Sequence, residues 1–205
     1  LLWMSYHAKD QFPPIDSETQ AIFDQGNEVT NLAKALFPDG VEIEGVEDIE
    51  AILKKTQELL PQRKPLFEAA LGYKNTFARP DILVPNKDGS WDLFEVKSST
   101  SVKEINHADA AFQKYCYEGA GIKIRKVYSV YINNQYIKNG PIDPEGLFIK
   151  EEITEAVESL VGNVEDKINR MIDIINQKDC PDIKIGAQCD DPYECPLKVI
   201  CWDFL

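Results

Sequence analysis

The sequence predicts an α/β fold in the order helix, three strands, helix, strand, closed by a cysteine-rich tail. Three observations predict it. Apolar residues recur at helical spacing after Ser17, three short apolar runs follow Pro61 with two of them joined by the turn sequence NKDGS, and a helical stretch from about Val102 leads into KVYSVYIN. Four of the five cysteines crowd behind residue 179, where periodicity is lost.

Taken in order, Ser17 with Gln20 resembles a capping box, and Ile22, Phe23, Val29, Leu32, Ala33 and Leu36 continue as an amphipathic helix that ends before Pro38. A second helix is expected from about Val46 to Leu60, stopped by Pro61. PLFEAAL, ARPDILVP and WDLFEVKSS then read as strands, and Asp88-Gly89 between the last two is a strong hairpin signal. The helix from about Val102 to Glu118 ends at Gly119 and Gly121, and KVYSVYIN, β-branched and aromatic, is the fourth strand. A second hairpin is expected around Asn133-Asn134, then a loop holding Pro141 and Pro144, then one long helix from about Glu152 to Gln177. The domain reading is one unit over residues 1–178, with the tail 179–205 packed on it.

The composition, 43% hydrophobic and 28% charged in 205 residues, excludes disordered, collagen-like and membrane classes. No apolar run approaches the roughly 18 residues of a spanning helix, and no signal peptide opens the chain, so a cytoplasmic protein is expected. The chain begins with Leu1 and Leu2 rather than Met, and the natural protein is expected to extend upstream. A net charge of −13 runs against a broad basic surface; VEIEGVEDIE and KEEITEAVE read as solvated helix surface.

Strand side chains alternate faces, so Glu95 and Lys97 project to one side of their strand. In a hairpin centred on Asp88, positions 81 and 95 are equidistant from the turn, which sets Asp81 opposite Glu95. Facing carboxylates destabilise a strand pair unless something neutralises them, and a Mg²⁺ or Mn²⁺ ion with hard oxygen ligands does so directly. Such an ion lowers the pKa of a bound water and draws charge from a phosphate oxygen, while Lys97 steadies the developing charge. The bland alternative, a turn aspartate and a solvated Glu–Lys pair, fits most chance D…E-x-K matches. Here Pro80 precedes the aspartate, ILV follows it, and E-V-K lies within an apolar strand.

PDILV, FEVKSS and the helix and strand behind them resemble the PD-(D/E)XK nuclease superfamily. The resemblance implies a restriction-endonuclease-like core (α-β-β-β-α-β) with added helices and the cysteine-rich tail, and a catalytic set of Asp81, Glu95 and Lys97, with Asp81 and Glu95 on the divalent metal. Gln113 and Tyr117, in QKYCY, match the Q-x-x-x-Y signature of RecB-type nucleases, including the iron–sulfur exonucleases of CRISPR adaptation, and are implied to contact substrate. Those nucleases often carry a metal-binding His four residues after a Gly, where this chain has Thr30 after Gly26; Glu28 and Glu68 are the acidic candidates for that role.

Cys189, Cys195 and Cys201, each separated by five residues in a polar loop, suggest a metal centre that folds the tail by ligation, and zinc and iron–sulfur chemistry both fit thiolates. Resemblance to the iron–sulfur nucleases implies a four-iron, four-sulfur cluster, lost or replaced by zinc in a fragment, with the fourth ligand upstream of Leu1 and Cys180 as the fallback. The expected function is a metal-dependent deoxyribonuclease, an exonuclease on single-stranded DNA or ends, acting in repair or defence. The alternative is a catalytically inactive nuclease-fold module that binds DNA or a protein partner within a longer polypeptide. The expected partners are DNA and a fusion or complex partner, without a membrane.

Overall fold

The computed structural model describes residues 1–43 and 48–202. In chain order its elements are α1 (Leu2–His7), α2 (Ser17–Lys34), β1 (Val41–Glu42), α3 (Ile49–Leu59), β2 (Leu66–Phe67), β3 (Leu71–Tyr73), β4 (Thr76–Ala78), β5 (Ile82–Pro85), β6 (Trp91–Lys97), α4 (Glu104–Gly119), β7 (Ile124–Ile132), α5 (Pro144–Leu147), β8 (Phe148–Glu152), α6 (Thr154–Val161), α7 (Val164–Ile175) and α8 (Lys198–Cys201). Two compact units make up the chain, Leu1–Gln20 with Asn163–Leu205, and Ala21–Gly162. Among the described residues no helix is long and apolar enough to cross a membrane.

The second unit is mixed α/β, as expected. Its six-stranded sheet runs β1-β2-β5-β6-β7-β8, with β1–β2 and β6–β7 parallel and the other neighbours antiparallel. The parallel pair needs a crossover, which α4 supplies. Strand alternation divides the two faces of β6. Phe94 and Val96 join Val29 and Ala33 of α2 in a core with Phe67, Ile82, Val130 and Phe148, whereas Glu95 and Lys97 meet side chains of α4. Phe94 stacks on Tyr128 with ring centres 4.6 Å apart, which fills the α2 side.

Several expectations need correction. The cap of α2 is Asp16, whose Oδ1 accepts from Thr19 N at 2.7 Å, and Ser17 is already helical. PLFEAAL is not one strand: only Leu66–Phe67 joins the sheet, because Glu68 turns the chain with φ 57, and Leu71–Tyr73 pairs with Thr76–Ala78 in a separate hairpin. ARPDILVP is divided in the same way, its first residue ending β4 and Ile82–Pro85 forming β5. The helix expected from Val46 begins at Ile49, and Val46 itself lies outside the described residues. β1 falls in VEIEGVEDIE, which the charge pattern had assigned to helix surface. β8 pairs with β7 through a long connection that includes α5, so KEEITEAVE opens as strand. The long helix is two, α6 and α7, parted at Gly162 and Asn163.

In the first unit, α1 packs on α7. Trp3 Nε1 donates to Gln177 O at 2.9 Å and His7 Nε2 to Ile175 O at 2.6 Å, with the two rings stacked 4.5 Å apart. The N-terminal aromatic run thereby satisfies carbonyls that the end of α7 leaves open.

Candidate active site

The β5–β6 hairpin carries the expected register. Ile82 pairs with Phe94, Leu83 with Leu93, Val84 with Asp92 and Pro85 with Trp91, so the next step outward faces Asp81 with Glu95. The turn is fixed locally and from a distance. Asp88 Oδ1 accepts from Ser90 N at 3.0 Å and from Ser90 Oγ at 2.5 Å, Gly89 takes φ 89, and Arg63 donates to Asn86 O and Ser90 O at 2.6 and 2.8 Å. Asp92, like Glu95 a buried carboxylate of the hairpin, is neutralised in full: Arg125 donates to both of its oxygens at 3.0 and 2.6 Å and Asn86 adds a bond at 2.9 Å.

Among the described residues the pair at 81 and 95 has no arginine. Asp81 Oδ2 accepts from Val96 N at 2.7 Å, Glu95 Oε1 from Lys97 Nζ at 2.9 Å, and Glu95 Oε2 from Gln113 Nε2 at 2.8 Å. Burial, and then the neighbouring Glu95, push the Asp81 carboxyl well above its usual range; the Val96 amide only partly opposes this. Burial also raises Glu95, against the pull of Lys97 and the Gln113 bond. For Lys97, burial works to lower the ammonium, but Glu95 and Asp109 together outweigh it and hold it above the usual lysine range, so it is a fixed cation at neutral pH. Its second bond, to Asp109 Oδ2 at 2.8 Å, ties it to α4.

Gln113 thus sits on a carboxylate of the pair. Its Oε1 is buried without a hydrogen-bond partner among the described residues, and so is the hydroxyl of Ser129, which pairs in register with Glu95 on β7. Tyr117 is placed differently. It is fully buried, and its hydroxyl donates to Ala69 O, next to Glu68. Thr56 Oγ1 accepts from Ala70 N at 2.9 Å, so two side chains from separate helices pin the segment in which Glu68 adopts its left-handed backbone. Glu68 N donates to Asp81 O at 3.0 Å, and its carboxylate takes Arg79 Nε at 3.0 Å. Burial raises the Glu68 carboxyl despite Arg79. Of the two acidic candidates, Glu68 reaches the site, where it lines an open cleft of about 410 Å³ together with Asp81 and Thr30; Glu28 stands exposed on α2.

Sequence reasoning missed Asp109 as the second partner of Lys97. Its spacing of four from Gln113 on a helix was the available signal, since both then share one face. It also missed Arg79 and Lys34 in the cleft; Lys34 shares a polar helix face with Asn27, Thr30 and Asn31, a spacing that by itself reads as solvated surface.

A hard divalent ion fits Asp81 and Glu95. A half-buried aspartate facing a buried glutamate, both retaining protons more readily than free carboxyls, favours a cation in the proton's place, and Mg²⁺ commonly takes one or two carboxylates, keeps waters, and draws its remaining ligands from substrate phosphate. Among the described residues no three His, Cys, Asp or Glu side chains gather as a metal site. Cys189 and Cys195 are half-buried and joined by a backbone bond of 2.8 Å, while Cys180 and Cys201 are exposed. Compared with family models and with curated proteins, the chain matches none.

Proposed function

We propose that this chain is a divalent-cation-dependent nuclease of the PD-(D/E)XK type, with a restriction-endonuclease-like core, that hydrolyses phosphodiester bonds of DNA at single strands or ends. The observation that carries the reading is the facing of Asp81 and Glu95 across the β5–β6 hairpin, with Lys97 on the same face and, among the described residues, no arginine on the pair. A half-buried aspartate facing a buried glutamate costs folding stability unless the pair holds something, and Asp92 in the same hairpin shows how a purely structural carboxylate is satisfied.

Each residue has a part that follows from its contacts. Asp81 and Glu95 present the oxygens for the ion, which when bound supplies a water of lowered pKa and a Lewis acid for the phosphate oxygen. Gln113 orients Glu95 and leaves its own carbonyl oxygen as an acceptor beside it. Lys97, its ammonium held by Glu95 and Asp109, is a pre-oriented cation aimed at developing negative charge, so little reorganisation accompanies the reaction. Glu68 bounds the cleft through which a strand reaches Asp81.

The test is degradation of labelled single-stranded DNA with Mg²⁺ or Mn²⁺ and in chelator. Cleavage is expected only with the ion, and Lys97→Ala is expected to lower it by about 10²–10³ while circular dichroism and the unfolding transition persist. Ion-dependent cleavage that survives Lys97→Ala would overturn the assignment. DNA binding without cleavage by the wild type would leave the non-cutting module in its place.

A further inference from the structure

We propose that the polar face of α2 and Arg79 form a track that grips the phosphates of a single strand beside Asp81, and that the track accepts the strand only when the carboxylate pair holds its cation. This rests on the nuclease reading and extends it to residues that no motif marks. Asn27, Thr30, Asn31 and Lys34 follow the i, i+3, i+4, i+7 spacing that puts side chains on one face of a helix, while Val29 and Ala33 pack the opposite side into the core. A polar stripe is ordinarily a solvated surface. This one lines the cleft of about 410 Å³ that also contains Arg79 and Asp81. That volume lies at the low end of small-ligand sites, roughly 300–1,000 Å³, and suits a nucleotide rather than a duplex segment.

The two cations of the cleft are held in place rather than free to wander. Lys34 Nζ donates to Asn31 Oδ1 at 3.0 Å and to Glu42, and its side chain is only 13% exposed. Arg79 meets Glu68 through Nε alone, at 3.0 Å to the carboxylate and 3.3 Å to the carbonyl oxygen, so among the described residues its Nη groups remain for a ligand. A guanidinium used at one edge still presents two donors in the fork geometry that phosphate accepts. Asn27, Asn31 and Thr30 supply uncharged donors, which hold sugar or phosphate oxygens without adding charge.

Charge determines when the track works. Lys34 and Arg79 are paired with Glu42 and Glu68, so the cleft by itself offers a polyanion no net positive charge. A divalent cation at Asp81 and Glu95 adds positive charge beside it, so strand and cation favour each other's binding by a common factor.

The experiment is fluorescence anisotropy of a 5′-labelled twelve-residue oligothymidylate, with Ca²⁺ replacing Mg²⁺ so that cleavage does not compete, repeated in chelator and across a salt series. Wild type is expected to bind at least about tenfold more tightly with Ca²⁺ than in chelator. Arg79→Gln removes both the charge and the fork; it is expected to weaken binding about tenfold and to flatten the salt slope by about 0.7 per lost phosphate contact. Asn27→Ala, which breaks no ion pair, is expected to weaken binding about threefold at unchanged slope. Wild-type affinity and slope in both variants would overturn the track while leaving the nuclease reading intact, and equal affinity in chelator would overturn its dependence on the cation. Variant-sensitive binding by a protein that does not cut would support the track and refute the nuclease reading. No binding of oligonucleotide in any condition would overturn both.

Discussion

Replacing Asp81 by Asn should stabilise the ion-free protein at neutral pH, although it removes a carboxylate of the proposed site. Directly opposed residues hold their β-carbons about 4.5–5.5 Å apart, and two unit charges at about 5 Å with an effective dielectric constant of about 20 repel by about 3 kcal/mol; Lys97 on Glu95 offsets part of this, and the cost of withdrawing the Asp81 charge from water restores it. The asparagine loses the charge-assisted component of the Val96 N–H bond, a 2.7 Å contact, at a cost of about 1 kcal/mol. The balance is a gain of about 2 kcal/mol, or roughly 4–8 °C in midpoint for a chain of this size. The pH dependence has a definite sign. Asp81 has a folded pKa well above its ordinary 3.8, so its contribution to stability is fully present below that value and is lost as pH rises through the raised one. Wild type and Asp81→Asn should therefore converge in acid and separate as pH climbs toward neutrality. Mn²⁺ should reverse the order: at one hundred times its dissociation constant it adds about 2.7 kcal/mol to the wild type and little to the variant. Thermal unfolding at pH 4 and pH 8, with chelator and with Mn²⁺, reads all four combinations. A variant no more stable than wild type at pH 8 in chelator would refute the claim that the pair is strained, and with it the main physical argument for an ion.

Tyr117→Phe is expected to cost about 1–3 kcal/mol, because Ala69 O, buried with the phenol, loses its donor; chemical denaturation measures it. The same variant should bind oligonucleotide with an unchanged salt slope, since a fully buried ring touches no strand. Gln113→Leu removes a bond that lowers Glu95, so the Glu95 pKa rises further and the midpoint of Mn²⁺ binding against pH moves upward, as calorimetric titration between pH 5 and 8 would show. A midpoint that stays in place would mean that Gln113 does not govern that carboxylate.

Local rules were sufficient where the causes are local. The β5–β6 register was legible because Asp88-Gly89 fixes the turn and a strand alternates faces with a period of two, so Asp81, Glu95 and Lys97 followed from counting. The end of α4 was legible from its glycines, and Gly121 indeed takes φ 90. The short edge strand Val41–Glu42 was not, because a two-residue strand exists only by pairing with Leu66–Phe67 and its own residues carry a helix-surface charge pattern. PLFEAAL misled for a related reason: it is apolar throughout, but the pins from Tyr117 and Thr56 hold Glu68 in a left-handed turn that no propensity favours.

The carboxylate pair and its lysine are thus properties of the sequence, written in the spacing of one hairpin. What surrounds them belongs to the tertiary structure. The pairing of Asp109 with Lys97, the seating of Gln113 on Glu95, the burial of Tyr117 and the cleft between α2 and Arg79 all join residues distant along the chain, and burial in that setting is what raises the Asp81 and Glu95 carboxyls. A pattern of residues can state which charges share a face. How far those charges are removed from water, and which distant groups answer them, depends on packing that no local period encodes.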